Sequence, residues 1–112
     1  MSLTTDHAQE VVLVRVNEAR LLYPMLADFS SSITSLINSG ERRLVIDLSN
    51  VTSVDSATVG CLMDLHHEAA VAGGALKLAG VLKRVQTMLT MTGAHDVLEV
   101  HPDETSAIRS FF

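Results

Sequence analysis

Ser56 stands where a helix begins, and a serine in that position can do two kinds of work. It follows Asp55, and from Ala57 onward Val59, Leu62, Met63, Ala69 and Ala70 fall mostly on one face at helical spacing, with Asp64, His67 and Glu68 as polar surface. Its hydroxyl can accept a hydrogen bond from the free N–H of Thr58 or Val59, which is the work of an N-cap. The same free N–H groups and the positive end of the helix dipole favour an anion, so the hydroxyl is also placed to carry a phosphate. Asp55 has two readings as well: it positions the hydroxyl or meets a partner, or it is a turn residue whose carboxylate caps local N–H groups.

Other chemistry-bearing residues are poorly spaced for catalysis. His66 and His67 are adjacent on a helix and point in different directions; Asp64 with His67 is better spaced, but no further ligand completes a metal site. Cys61 is the single cysteine, which excludes an intramolecular disulfide and fits a reducing compartment. Its place in the first helical turn favours a thiolate, yet a small buried apolar cysteine is the commoner outcome, and it is not read as a nucleophile. Ser56, His66 and Asp47 have the residue types of a hydrolase triad without the glycine frame of a nucleophile elbow. Gly73-Gly74 is followed by a strand, so it reads as a helix stop rather than a phosphate cradle. The expectation is a chain with no turnover, metal or cofactor of its own.

The elements that position Ser56 are legible from the pattern. Leu44 to Ile46 is an apolar, mostly β-branched run that reads as a short buried strand ending in Asp47. Val11 to Val16 is near-continuously apolar, as expected for a central strand buried on both faces. Ala75 to Ala79 reads as another strand, and Val97 to Val100 as a short last one. Between them, Pro24 opens a helix carrying Met25, Phe29, Ile33, Leu36 and Ile37 until Asn38-Ser39-Gly40 stops it. Val81, Val85, Met88 and Leu89 mark a helix ending near Gly93, and Pro102 with Asp103-Glu104 opens a terminal helix through Ile108. Residues 1–10 are polar and unpatterned and read as a flexible arm, leaving 11–112 as the folded domain. Strands alternating with helices predict an α/β fold: a mixed, mostly parallel sheet of four or five strands packed by about four helices. Ligands of such sheets meet the carboxyl ends of the strands, and the loop from Asp47 to Ser56 leaves one such end.

Composition limits the partners. The 112 residues suit one domain, and 47% hydrophobic with 19% charged residues places the chain among globular proteins. Eight basic and thirteen acidic residues give a formal net charge of -5, so attraction to nucleic acid or anionic lipid is not expected. No apolar run approaches the roughly 18 residues of a membrane span, and no signal peptide is evident, so the cytoplasm is the expected address.

The run Val45-Ile46-Asp47-Leu48-Ser49, then Val51, Val54-Asp55-Ser56 and Gly60, resembles the centre of STAS domains, the anti-sigma factor antagonists. The likeness continues through Gly73-Gly74, Leu76 to Ala79, Val85, Leu89, Gly93 and Leu98. The resemblance implies that Ser56 is a phosphoacceptor, modified by a partner that is both serine kinase and anti-sigma factor and restored by a phosphatase. ATP would be the partner's cofactor. It implies partner contacts at Glu18, Asp47, Asp55, Ser56, Thr58, Val59 and Gly60. Thr58 and Val59 stand where the family usually has glycine and leucine, and Thr58 offers a second phosphoacceptor. At the end of the first strand the family often has Gly-Glu-x-Asp; here Asn17-Glu18-Ala19-Arg20 matches only at Glu18. Two rival functions follow: a STAS scaffold or transporter-associated subunit without regulated phosphorylation, and a small enzyme or nucleotide-binding module at the same helix start.

Overall fold

A computed structural model describes residues 1–112. Strand β1 (Leu3–Ala8) turns back into β2 (Val11–Val16), and the short β3 (Arg20–Leu21) and a 3-10 turn (Tyr23–Met25) lead into helix α1 (Leu26–Asn38). Strand β4 (Arg43–Asp47), the short β5 (Ser53–Val54) and helix α2 (Ser56–Val71) form the centre. Strand β6 (Ala75–Ala79), helix α3 (Lys83–Met91), a 3-10 turn (Ala94–Asp96), strand β7 (Val100–His101) and helix α4 (Glu104–Arg109) complete the chain. The main sheet has the order β1-β2-β4-β6-β7, and only the β1–β2 pair is antiparallel. The last strand begins later than the apolar run Val97 to Val100 suggests, because Val97 still closes the preceding 3-10 turn.

Alternation along the central strands divides the interior in two. Val12, Val14, Leu44, Ile46, Leu76 and Leu78 face a large core with Phe29, Ile33, Leu62, Leu65, Val85 and Leu89 of α1, α2 and α3. Val11, Leu13, Val45 and Ala79 face the other way, against Ala107 of α4. Being covered on both faces, β2 and β4 carry continuous apolar runs instead of alternating ones. Helix α4 has only six residues and is fixed by polar contacts: Asp103 accepts from the Ser106 N–H at 2.8 Å, and Arg15 forks onto Glu104 at 2.7 and 2.8 Å.

The flexible arm expected over residues 1–10 is corrected by the structure, since Leu3–Ala8 pairs with β2 from Leu3↔Val16 to Ala8↔Val11. Its four middle residues are exposed, so an edge strand wears the composition of a tail. Gln9 and Glu10 form the two-residue turn with φ of 53° and 65°, the left-handed region that side chains with a Cβ resist. Replacing Glu10 by glycine should therefore stabilise the fold by about 1 kcal/mol. The lost contact to Arg43 sits on a carboxylate 85% exposed and offsets little of this. Urea unfolding of Glu10→Gly checks it: a lowered midpoint would mean that the turn carries no strain.

Candidate functional site

The corner that presents Ser56 is built by docking two loops side by side. After β4, Leu48 donates its N–H to the Ala79 carbonyl and Val51 donates to Leu48, so both apolar side chains are fully buried and the loop is pinned. Thr52 and Ser53 then direct their N–H groups, and Thr52 its hydroxyl, to the single carbonyl of Ala19. That brings β3 beside β5 as a two-stranded parallel ribbon, Leu21 opposite Val54. The loop leaving β2 and the loop leaving β4 thus end at one place, at the carboxyl ends of the parallel strands.

Asp55 locks the corner. Its Oδ1 accepts from the Thr58 N–H at 2.9 Å and lies 2.8 Å from the Thr58 hydroxyl, while Oδ2 accepts from the Tyr23 N–H at 3.0 Å. One carboxylate therefore caps α2 and ties it to the turn that opens α1. The donated bonds, first that of Tyr23 and then those of Thr58, hold the Asp55 carboxyl below the usual carboxylate range. Thr58 Oγ1 also lies 2.6 Å from the Leu21 carbonyl, so its one hydrogen is shared between two acceptors.

Three expectations change here. The N-cap is Asp55 and not Ser56, which becomes the first helical residue and is exposed. Thr58 is completely buried and Val59 almost so, so the second hydroxyl and the valine side chain lie beneath the surface and not on it. Cys61 falls in the second turn of α2, too far in for the free N–H groups of the helix start, and burial followed by the Asp64 charge pushes its thiol pKa up.

The remaining expected residues are less close together. Gly60 is exposed about one turn along α2 from Ser56, whereas Asp47 lies opposite Arg15 in the sheet. Burial opposes Asp47 ionisation, but the neighbouring Glu104 carboxyl, with which it shares a proton, the Ser49 N–H and the Arg15 charge outweigh it, so its pKa is lowered. Asp47 therefore belongs with the α4 cluster, with one oxygen taking the Ser49 N–H at 2.8 Å to turn the chain. Glu18 is half-buried and accepts the Ser2 N–H at 2.8 Å. No three His, Cys, Asp or Glu side chains converge on a common point, and His66 Nδ1 is buried without a hydrogen-bond partner. Tyr23, 72% exposed beside this corner, carried no sequence signal, because what places it is its backbone N–H.

The fold is that of one α/β domain with three helices on one sheet face, a short helix on the other, and a serine opening the helix above the strand ends. The chain belongs to the STAS domain family, whose model matches residues 2–107. It is similar to an anti-sigma factor antagonist from Mycobacterium paratuberculosis, at 16% identity over 97% of this chain and 92% of that one, with a TM-score of 0.86. It is also similar to the Bacillus cell fate determinant SpoIIAA in its phosphorylated form, at 15% identity over 97% and 99% of the chains, with a TM-score of 0.72. A third likeness is to part of the murine Solute Carrier 26 family member A9 anion transporter: 18% identity, 92% of this chain, 18% of that one, TM-score 0.76. At these identities the likeness is one of fold. No helix of this chain is long and apolar enough to cross a membrane.

Proposed function

We propose that this STAS domain is a protein-interaction switch of the anti-sigma factor antagonist kind, set by phosphorylation of Ser56. The observation that carries the reading is a division of labour: Asp55 caps α2, so the exposed Ser56 hydroxyl can be modified without uncapping the helix. A phosphate there brings a charge of about -1.5 to -2 to a helix start that tolerates it, while a partner docked on the same corner meets repulsion and desolvation. The phosphorylated SpoIIAA structure supports the reading by its fold. The partner is an anti-sigma factor that is also a serine kinase and brings the ATP; a phosphatase reverses the mark. Glu18, Asp55, Ser56 and Gly60 form the contact surface, with Arg20 as a cation on its rim.

The test is incubation with each anti-sigma-type serine kinase of the source genome and ATP, followed by phosphosite mapping and binding measurements. The expected result is label on Ser56, none on Ser56→Ala, constitutive binding by Ser56→Ala, and binding of the phosphorylated chain weakened at least about a hundredfold. An unlabelled chain whose Ser56→Asp variant still binds as the parent does favours the scaffold reading, to which the likeness to a transporter segment belongs.

A further inference from the structure

Gly60 has no internal reason to be glycine. It lies inside helix α2, is exposed, lacks a left-handed φ, and a Cβ built on it would meet no atom within 4 Å. Glycine there weakens the helix, so the missing side chain serves something outside the chain. Gly60 borders a groove between α1 and α2 together with Tyr23, Ala57, Cys61, Asp64 and Glu68. The groove starts beside Ser56, since Ala57 and Tyr23 flank that corner. Its charge has one sign: the groove is lined by Asp64 and Glu68 and by no Lys or Arg, in a chain of net charge -5.

We propose that this groove seats an amphipathic helix of the partner, apolar toward Ala57, Gly60 and Cys61, and carrying two Lys or Arg residues one turn apart against Asp64 and Glu68. The inference rests on the interaction-switch reading above and adds the chemistry of the partner. The spacing is explicit: Asp64 and Glu68 are four residues apart on one helix, about 6 Å along its axis, which a Lys or Arg pair at the same spacing matches. The absent side chain at Gly60 lets the incoming backbone lie close, and Tyr23 supplies an exposed aromatic anchor at the switch end. The two ends of the groove act independently. Asp64 and Glu68 are eight and twelve residues beyond Ser56, about 12 and 18 Å along the helix, more than a Debye length of about 8 Å. A phosphate on Ser56 thus opposes the apolar end without repairing or weakening the ion pairs at the other.

The native single cysteine makes the test direct. With each kinase used in the labelling experiment, complex formation should slow alkylation of Cys61 at least about tenfold relative to the free chain. Asp64→Lys should weaken binding at least about tenfold, mainly through association rate, and the loss should shrink in high salt. Gly60→Gln should weaken binding comparably while the variant melts no lower than the parent, which separates lost docking from lost fold. A complex in which Cys61 reacts as fast as in the free chain, and in which Asp64→Lys binds like the parent, overturns the groove even if Ser56 is labelled. Protection of Cys61 with no label on Ser56 keeps the groove and removes the switch. If no kinase forms a complex, both readings fall.

Discussion

Gly60→Ala and Gly74→Ala should move the melting temperature in opposite directions, although each adds the same methyl group. At Gly74 an ideal Cβ would lie 2.2 Å from the Arg42 carbonyl oxygen and 2.8 Å from two further backbone atoms of Arg42. Backbone cannot swing aside here, because that carbonyl accepts the Ala75 N–H at 2.8 Å where β4 and β6 begin to pair. Overpacking against a fixed backbone costs about 3 kcal/mol, a large share of a small domain's 5 to 15. For a domain of this size that lowers the midpoint by roughly 12 to 24 °C. At Gly60 the added methyl meets nothing and the helix gains about 1 kcal/mol, raising the midpoint by roughly 4 to 8 °C. Thermal melts of the two variants decide it: a fall for Gly60→Ala would reveal an internal role for that glycine and remove the argument that it serves a partner.

How much of this was legible depends on how local each cause is. The central run from Leu44 to Met63 announces itself because burial on both faces writes a continuous apolar strand, and a strand end followed by helical spacing marks the corner. The edge strand β1 does not, because one side of it faces water and its ladder is made by backbone groups that any sequence carries. The ribbon of β3 and β5 has two residues in each strand and is held by the Ala19 carbonyl, which leaves no trace in residue types. Residue types narrow the cap to two neighbours, and the helical spacing points to the later of them, one position beyond the true cap. Asp55 and Ser56 are both good N-cap residues, and what selects Asp55 is the Tyr23 N–H, thirty-two residues away in sequence. Burial of Thr58 follows from the same packing: a threonine in a first helical turn looks like surface until the β3 loop lies across it and its hydroxyl reaches the Leu21 carbonyl.

Thr58→Glu should unfold the corner, whereas Ser56→Glu should leave stability nearly unchanged. The Thr58 side chain is completely inaccessible and wedged between the Leu21 carbonyl and the Asp55 carboxylate. A glutamate there removes the hydroxyl donor from both acceptors and buries a second negative charge beside Asp55, an uncompensated charge that costs about 3 to 5 kcal/mol. Ser56 is exposed at the first position of α2, where a carboxylate gains about 0.3 to 1 kcal/mol from the helix dipole. Acid should narrow the gap between the two variants, and the signs can be worked out. The buried glutamate has its pKa raised, so its penalty shrinks as pH falls and the group becomes neutral. Asp55 has its pKa lowered, so what it contributes is present above its unfolded value of about 3.9 and is lost as pH falls below that, in every variant that keeps the corner. Urea midpoints measured from neutral pH downward test both statements. Equal midpoints for Thr58→Glu and Ser56→Glu at neutral pH would mean that Thr58 reaches solvent, and would return it to candidacy as a phosphoacceptor beside Ser56.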